Sequence, residues 1–551
     1  LIESAPRWAP AWKEPHVTAD IVTAYRLTPM QHLMLAHSIG APTSDACFVQ
    51  YGLRVSGPFE PERYRAAWQS LVARHTALRT CFAWRGLEEP LQVVLSDATV
   101  PLTLLDYRDS DDLEARLTKL AASDSRAAFQ LTAPPLLRLA AVRLPGEAWH
   151  LLIGMHHLIV DGWSAEQLLQ EAAETYAGAG PSQPAPEFGS YLAWLEHQDF
   201  HGAEQHWNQA LASVPAGAGF PGALSRPGRR RSGALRESRR ELDAATVAAL
   251  RERSRSARVT LSTMVRAAWG ALLARYAGVP EAVFAVTVAG RPAELPEASE
   301  TVGPFLNNLP VRVGQPGADL VGWLAGLQRD AARSKQHQWC SPAQIQEWAG
   351  RDAARALCDT LLVFQNYPGD QELPALGPRT RFERWRPAGP TVRTGFPLTL
   401  TVTATDTLTM RTTVDSGVIS RPGVQRLEED FCAVLDALAA GRPDLPLPPP
   451  WQPPAESGDR ARRATVAYRP PETDVEKQVA GVFAEVLEVD QVGADDDFFD
   501  AGGNSLAAVH LSWRLRDSFG VELPLETVFT SRTPAALAAV LDPADPQPAL
   551  T

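Results

Sequence analysis

The stretch 149-WHLLIGMHHLIVDGWS-164 begins as a strand and ends as a helix. Its residues 151–155 are apolar and follow a Pro145-Gly146 turn, which is typical of a buried strand. Ser164 and Gln167 fit a capping box ahead of a helical apolar pattern, so a helix is predicted to begin at Ser164. The stretch therefore predicts a buried strand, a short loop and a helix.

His156 and His157 lie where the predicted strand passes into a loop, a common position for reactive groups on a rigid scaffold. Adjacent side chains of a strand point to opposite faces, so only one of the two imidazoles can face a given cavity. A neutral imidazole accepts a proton near physiological pH, which suits a general base. Asp161 could fix the loop or orient an imidazole, and Gly162 would let a substrate pass close to the backbone. Two core histidines at a strand end are the structural alternative, but the whole HHxxxDG pattern favours a functional site.

The segment HHLIVDGWS (156–164) resembles the HHxxxDG motif of condensation domains from nonribosomal peptide synthetases. The resemblance implies two α/β lobes similar to chloramphenicol acetyltransferase, arranged in a V with the motif in the tunnel between them. It implies a reaction that joins a donor acyl or peptidyl thioester to the amine of an acceptor aminoacyl thioester. His157 is then expected to serve the reaction, as a base or by positioning the amine. Asp161 is expected to pair with an arginine, for which Arg291 in AGRP is the candidate.

Other segments resemble condensation-domain motifs in the same order. LTPMQ (27–31), with Thr28 as the predicted cap of a helix, is closer in wording to subtypes that accept a D-configured donor residue or also epimerise it. The extra upstream histidine motif of the epimerising subtype is not seen. RHTALRTCF (74–82) matches the second motif, and its charged residues are expected to pin the floor of the first lobe. VGPFLNNLPVRV (302–313) resembles the fifth motif, which places Asn307 near the tunnel. Later motifs are matched by 337–350, 361–368 and 393–402.

Composition limits the function classes. The chain has 551 residues, enough for several domains, and its 45% hydrophobic and 21% charged residues are ordinary for a soluble globular protein. The net charge of −12 argues against nucleic acid as the main partner. No stretch predicts a membrane span or a signal peptide. The five cysteines lack CxxC spacing, which fits a reducing bacterial cytoplasm and no zinc site. The excess of arginine over lysine indicates a high-GC genome, and the initial Leu indicates a piece of a longer chain.

Pro- and Gly-rich segments divide the chain. The segment 178–188 is rich in Pro, Gly and Ala and is expected to be the hinge between the two lobes that the resemblance implies. The segment 442–471 is rich in proline and predicts an extended linker. The basic run 227–240 is expected to be a solvated loop or sheet edge, and 260–276 to be an amphipathic helix. The expected bounds are an N-terminal linker at 1–21, an N-lobe at 22–180, a C-lobe at 181–443, a linker at 444–471 and a carrier domain at 472–545.

Four residues near the hinge have spacing that can bind a metal: His197, His201, Glu204 and His206. They lack an HExxH pattern and align with a condensation-domain helix that is not a ligand set. No metal site is therefore expected.

The C-terminal region contains DDDFFDAGGNSLAAVHL (495–511) after a capping box at Thr473 and Glu476. Ser505 lies at the predicted start of a helix, where unpaired N–H groups favour an anionic substituent such as a phosphodiester. A plain helix cap is the alternative. DAGGNSL resembles the phosphopantetheine site of peptidyl carrier proteins, which are small four-helix domains. The resemblance implies a 4′-phosphopantetheine arm on Ser505, with Gly503 and Leu506 flanking the site.

The order is condensation and then carrier, with no stretch of domain length left for an adenylation domain between them. A separate adenylating enzyme is therefore expected to load the carrier in trans. The resemblance also implies an upstream donor carrier domain, a phosphopantetheinyl transferase, and a downstream synthetase domain or thioesterase. Neither nucleic acid nor a membrane is expected as a partner.

Other functions stay open at this stage. An epimerisation domain shares HHxxxDG and the fold, but such domains normally follow their carrier, whereas here the carrier follows. A degenerate condensation-like domain that recruits partners typically loses the histidines, which are present here. Ester formation, or transfer to an acceptor that is not on a carrier, is compatible with the motif.

Overall fold

The structure is a computed structural model. It describes residues 20–40, 47–87, 89–212, 214, 235–350, 357–365, 380–385, 394, 396–404, 407–416, 419–449, 468–487, 489, 491–498, 501, 505–521, 523 and 525–541.

The strands in these residues follow in chain order. They are β1 (Ile21–Arg26), β2 (Phe48–Ser56), β3 (Thr80–Ala83), β4 (Leu91–Leu95), β5 (Leu102–Asp106), β6 (Leu137–Leu144), β7 (Ala148–His156), β8 (Leu235–Leu242), β9 (Glu281–Val288), β10 (Asn307–Gly314), β11 (Thr360–Gln365), β12 (Arg381–Trp385), β13 (Leu398–Ala404) and β14 (Leu408–Asp415).

The same described residues form fifteen α-helices. They are α1 (Pro29–Gly40), α2 (Pro61–Arg74), α3 (Leu113–Arg126), α4 (Gly162–Ala177), α5 (Phe188–Glu196), α6 (Phe200–Leu211), α7 (Ala244–Ser256), α8 (Leu261–Ala277), α9 (Leu320–Lys335), α10 (Pro342–Trp348), α11 (Arg421–Ala439), α12 (Asp474–Leu487), α13 (Ser505–Phe519), α14 (Leu525–Thr530) and α15 (Pro534–Leu541). None of the helices in the described part of the chain combines the length and the apolar character that crossing a membrane requires.

The chain forms two compact units that are interleaved in sequence. Unit 1 contains residues 1–199 together with 289–307 and 366–395, and unit 2 contains the remainder. The expected lobe bounds were contiguous stretches that met at the hinge. The hinge at 178–188 stays a prediction, and local patterns do not show that two later segments return to the first unit.

Unit 1 is built on a sheet with the strand order β12-β2-β7-β6-β5, and a smaller sheet has the order β1-β4-β3. β7 lies in the middle of the larger sheet, antiparallel to both neighbours, and its residues from His150 onward are buried. This explains its nearly continuous apolar sequence. β12 is antiparallel to β2, and its Trp385 lies over Gly52. A Cβ atom at position 52 would come 2.5 Å from the Trp385 ring, so this position requires glycine.

The helix after β7 begins earlier than predicted. α4 starts at Gly162 with Asp161 as its N-cap, and the Asp161 side chain accepts a hydrogen bond from the Ser164 backbone N–H. The predicted capping box at Ser164 and Gln167 is therefore wrong. The carboxylate three residues earlier takes the capping position, and the Ser164 hydroxyl bonds to Gly303 instead.

Unit 2 contains a sheet with the order β10-β9-β11-β13-β14-β8. β8 is its edge strand, so the part of the basic run from residue 235 onward lies at a sheet edge as expected. α8 packs on this sheet and is buried on nearly all sides, not on one face, so the amphipathic prediction for 260–276 is wrong. Small alanines and a glycine between large apolar residues let neighbours cover the whole helix.

The C-terminal helices α12 to α15 form a small helical region. The predicted capping box before α12 is confirmed, because the Thr473 hydroxyl accepts from the Glu476 N–H and the Glu476 carboxylate accepts from the Thr473 N–H. Phe483 and Phe498 meet edge to face in its core, with ring centroids 5.2 Å apart. The predicted α/β class with a helical C-terminal region is confirmed.

Candidate active site

The two histidines lie at the end of β7 and the start of the histidine loop, residues 156–161. The backbone N–H of His156 donates to the Leu136 carbonyl (3.0 Å), and that of His157 donates to the Cys47 carbonyl (2.8 Å). The sheet therefore fixes the backbone of both residues from two sides.

The ring of His156 is buried and bonded on both nitrogens. Its Nδ1 accepts from the Leu158 backbone N–H at 3.1 Å, and its Nε2 lies 3.2 Å from the Ser38 hydroxyl. Burial, together with the smaller effects of the charges of His157, His37 and Arg138, lowers the pKa of His156 to about 3. His156 is therefore neutral at physiological pH, with its hydrogen-bonding capacity used inside the protein.

His157 presents a different ring. It is half-buried, and its Nδ1 lies 3.0 Å from the Val160 carbonyl, which can only accept. The neutral ring therefore carries its proton on Nδ1 and a lone pair on Nε2, for which the described residues provide no hydrogen-bond partner. Burial lowers the pKa of His157, while the bond to Val160 and the charge of Asp161 raise it less. A neutral imidazole with an available Nε2 lone pair can accept a hydrogen bond or a proton.

Asp161 fixes the loop, which is the first of the two roles weighed from the sequence. Its buried carboxylate caps α4 through the Ser164 N–H at 2.8 Å and accepts from the Phe305 N–H at 3.2 Å. Arg291 donates to it through Nη2 at 3.1 Å, so the expected pairing is present. Gly162 follows directly as the first residue of α4.

Arg291 joins the histidine loop to the segment 289–307. Its Nη2 also donates to the Ser164 hydroxyl (2.9 Å) and its Nη1 to the Thr301 carbonyl (2.8 Å), while the guanidinium lies 4.2 Å from the Phe305 ring centroid. Gly290 precedes it with a φ of 68°, and a Cβ there would lie 1.7 Å from the Phe305 carbonyl oxygen. Both facts require glycine at the second position of AGRP.

Sequence reasoning assigned no site role to two residues of α1 that contact the loop. Gln31 Nε2 donates to the Leu158 carbonyl at 2.9 Å, and Ser38 contacts His156. Gln31 also forms a reciprocal capping box with Thr28, the predicted cap. The Thr-x-x-Gln spacing was a usable signal for Gln31. No local sequence pattern indicates a site role for Ser38, because its partner His156 lies 118 residues away.

The charged residues of the second motif are structural in unit 1, as expected. His75 Nε2 lies 2.8 Å from the Glu171 carboxylate, and Arg74 contacts the same carboxylate at 3.3 Å. Arg79 donates to the Leu95 carbonyl. Asn307 begins β10 with a buried side chain, and its position near a tunnel stays a prediction.

The four residues with metal-like spacing have ordinary partners. His197 Nδ1 bonds the Ala193 carbonyl, and His201 contacts Gln205. His206 contacts Ser334 and stacks on His337. Within the described residues, no group of three or more His, Cys, Asp or Glu side chains is arranged to hold a metal ion.

Ser505 is the first residue of α13, as predicted. Among the described residues upstream of the helix, Asp495 pairs with Arg469 (2.7 Å) and Asp497 with Arg532 (3.0 Å). The start of a 15-residue helix offers N–H groups without intrahelical partners, and this position fits the phosphate of a 4′-phosphopantetheine group. Gly503 and the side chain of Leu506 lie outside the described residues.

Two family models match separate parts of the chain. Residues 21–450 match the family model described as condensation domain, and residues 477–541 match the one described as phosphopantetheine attachment site. One of the linear gramicidin synthase proteins of Brevibacillus parabrevis is 33% identical over 438 residues, which cover 76% of this chain. Bacitracin synthase 3 of Bacillus licheniformis is 28% identical over 441 residues, also 76% of this chain. The chain spans only 8% of the length of the first relative and 7% of the second.

Solved structures share the fold. The condensation domain from Monacolin K polyketide synthase superposes with a TM-score of 0.66 at 18% identity, covering 78% of this chain and 99% of that domain. A four-domain nonribosomal peptide synthetase bound to AMP and glycine has a TM-score of 0.66 at 15% identity, covering 92% of this chain and 40% of that protein. At this level of identity the likeness concerns the fold alone.

Proposed function

The chain belongs to the condensation domain family and carries a phosphopantetheine attachment domain, and we propose that it forms amide bonds in nonribosomal peptide synthesis. The donor is an acyl or peptidyl thioester on an upstream carrier domain. The acceptor is the amine of an aminoacyl group held on the arm of Ser505. The bound 4′-phosphopantetheine supplies the thiol that carries this group as a thioester.

The proposal rests on the hydrogen bonding of the His157 ring. Its Nδ1 is committed to the Val160 carbonyl, so its Nε2 lone pair is available to the attacking amine. The amine nitrogen bonds to the donor carbonyl carbon, the carbon–sulfur bond breaks, and the donor thiol leaves with the proton that the amine loses. His157 accepts a hydrogen bond from the amine, orients it and can relay this proton. Two tethered reactants held together supply much of the acceleration.

The remaining motif residues hold His157 in place. His156 anchors the end of β7, and Asp161 ties the end of the loop to Arg291 and α4. Gly162 leaves the start of the helix without a side chain, which gives a substrate room beside the backbone. Asn307 is proposed to lie beside the acceptor.

The substrates and partners belong to the same proposal. The wording LTPMQ supports a donor that ends in a D-configured residue. A separate adenylating enzyme loads the carrier in trans after a phosphopantetheinyl transferase has modified Ser505. The product then passes to a downstream synthetase domain or thioesterase, in the cytoplasm of a bacterium.

Intact-mass analysis of the carrier tests the reaction. The carrier is loaded with an aminoacyl-pantetheine group, and a donor carrier charged with a D- or L-ended peptide is added to wild type, His157→Ala or His201→Ala. His201 is an exposed histidine on α6 and serves as the matched control. We expect a mass gain equal to the donor acyl group in wild type and the control, larger for the D-ended donor, and little gain in His157→Ala.

Other outcomes would replace the proposal. Inversion of the residue on Ser505 without a mass gain would indicate epimerisation. Transfer of the donor to a free amine or alcohol, with no gain on the carrier, would indicate a different acceptor. If a loaded carrier shows neither change, a recruiting role is favoured.

A further inference from the structure

We propose that Ser38 is a positioning residue that fixes the tautomer of His156 and thereby the place of His157. The inference rests on the proposed function for its effect on catalysis, but the tautomer itself can be measured without any reaction. Ser38 lies near the end of α1, 118 residues from His156 in sequence.

The Ser38 hydroxyl can only act as an acceptor toward His156. Its hydrogen is committed to the Met34 carbonyl one turn earlier in α1, at 2.8 Å. The lone pairs of its oxygen are therefore left to face His156 Nε2 at 3.2 Å, and this contact requires a proton on Nε2.

The other ring nitrogen of His156, Nδ1, must be unprotonated. The Leu158 backbone N–H points at His156 Nδ1 from 3.1 Å, and this contact requires a lone pair on Nδ1. Together the two contacts select the neutral ring with its proton on Nε2. His157 holds the reverse form, since its Nδ1 must donate to Val160. Two adjacent histidines are thus locked in opposite tautomers.

The tautomer of His156 bears on His157 through the histidine loop. A proton on His156 Nδ1 would face the Leu158 N–H, and two donors cannot share that contact. The loop would have to move, and the Val160 carbonyl that orients His157 would move with it. Without Ser38, the Leu158 N–H is the one contact described in the structure that still favours the proton on Nε2, so the tautomer loses one of its two supports.

α1 holds the loop at two points from one face. Gln31 and Ser38 are seven residues apart, which is two helical turns. Gln31 donates a hydrogen bond to the Leu158 carbonyl, and the Ser38 hydroxyl contacts Nε2 of His156. These two bonds hold the first residues of the loop, His156 and Leu158, whereas the Asp161–Arg291 pair holds its last residue. The loop is therefore fixed at its start and at its end.

The test uses the full chain labelled with ¹⁵N-histidine, in wild type, Ser38→Ala, Ser38→Thr and Ser70→Ala. Ser70 is a matched control, because its hydroxyl also donates back to a carbonyl of its own helix, that of Ala67. Nitrogen chemical shifts give the tautomers, and His156→Gln and His157→Gln assign the signals. Donor transfer to the carrier gives kcat and the KM for the donor carrier.

We expect His156 to be protonated on Nε2 and His157 on Nδ1 in wild type. Ser38→Ala should make the Nδ1-protonated form of His156 detectable beside the Nε2-protonated form, and should lower kcat by roughly 10- to 100-fold with KM nearly unchanged, because a misplaced group costs rate more than binding. Ser38→Thr should restore both readouts, and Ser70→Ala should match wild type.

A proton on His156 Nδ1 in wild type would overturn the proposal, whether or not Ser38→Ala folds. A kcat within twofold of wild type in a folded Ser38→Ala protein would overturn it as well. If the tautomers are as stated but wild type transfers no donor, the proposed function fails and the tautomer assignment stands.

Discussion

The histidine loop and the carrier serine are both short motifs, but they are built over very different distances along the chain. The loop depends on Ser38, 118 residues before it, and on Arg291, 130 residues after it. Ser505 is the first residue of α13, and the ion pairs described near it in sequence, Asp495 with Arg469 and Asp497 with Arg532, lie within the C-terminal region. A group that must be placed to within a fraction of an ångström requires buried long-range bonds. A proposed attachment serine that a modifying enzyme would have to reach does not.

Removing the attachment point gives the largest expected effect. Ser505→Ala should abolish phosphopantetheine attachment completely, because no other hydroxyl takes the place of the first residue of α13. Intact mass after incubation with coenzyme A and a phosphopantetheinyl transferase measures the attachment. Ser518→Ala, an exposed change in the last turn of the same helix, is the control. Attachment to the Ser505→Ala protein would contradict the assignment.

The second prediction breaks the long-range bonds of the histidine loop. Asp161→Ala leaves Arg291 buried without its carboxylate and removes the cap of α4, so unit 1 should lose about 3–5 kcal/mol of stability. Amide hydrogen exchange of β7 and α4 peptides measures this loss, and α12 peptides serve as an internal reference. The double change with Arg291→Met should cost less than the sum of the single changes. Unchanged protection of β7 would show that the pair does not hold the loop.

The third prediction concerns the loss of stability at acid pH. His150 is buried in β7, and neither ring nitrogen has a hydrogen-bond partner in the described part of the chain. Burial, helped by the charge of Arg54, lowers the pKa of His150 to about 4. The unfolded chain therefore takes up a proton first as pH falls, and stability is lost between about pH 6.5 and about pH 4.

His150→Phe should reduce the loss of unfolding free energy at pH 4 by up to about 3 kcal/mol. The phenylalanine should keep the edge-to-face contact with Trp385. Exchange of β7 peptides across this pH range measures the difference. His201→Phe, on an exposed surface, controls for the loss of one histidine. Equal acid loss in wild type and His150→Phe would contradict the prediction.

The smallest effect is expected at the carrier surface. Glu485 pairs with Arg514 at 2.8 Å, but more than half of each side chain is exposed. Glu485→Gln should change the stability of the carrier helices by less than about 1 kcal/mol, because water screens such a pair. Exchange of α12 and α13 peptides measures it. A loss as large as that of Asp161→Ala would remove the contrast between the two regions.

The sequence was sufficient where the determinants are local. The strand ending at His156, the helix starting at Ser505 and the capping box of Thr473 with Glu476 follow from patterns of a few residues. The cap of α4 was misassigned because Asp161 and Ser164 are both good capping residues, and only the position of Arg291 and Gly303 around them separates their roles. The tautomers of the two histidines depend on atoms far away in sequence, which no local pattern reports.

The strand β12 has a consequence for biosynthesis. Residues 1–199 supply most of unit 1, but its segments 289–307 and 366–395 follow later, and the edge of its main sheet beside β2 stays uncovered until Arg381–Trp385 has been translated. At about 5–20 residues per second, a ribosome needs roughly 10–40 s to reach that point. During this interval the nascent chain carries an open strand edge at Gly52, which could pair with another chain until Trp385 arrives.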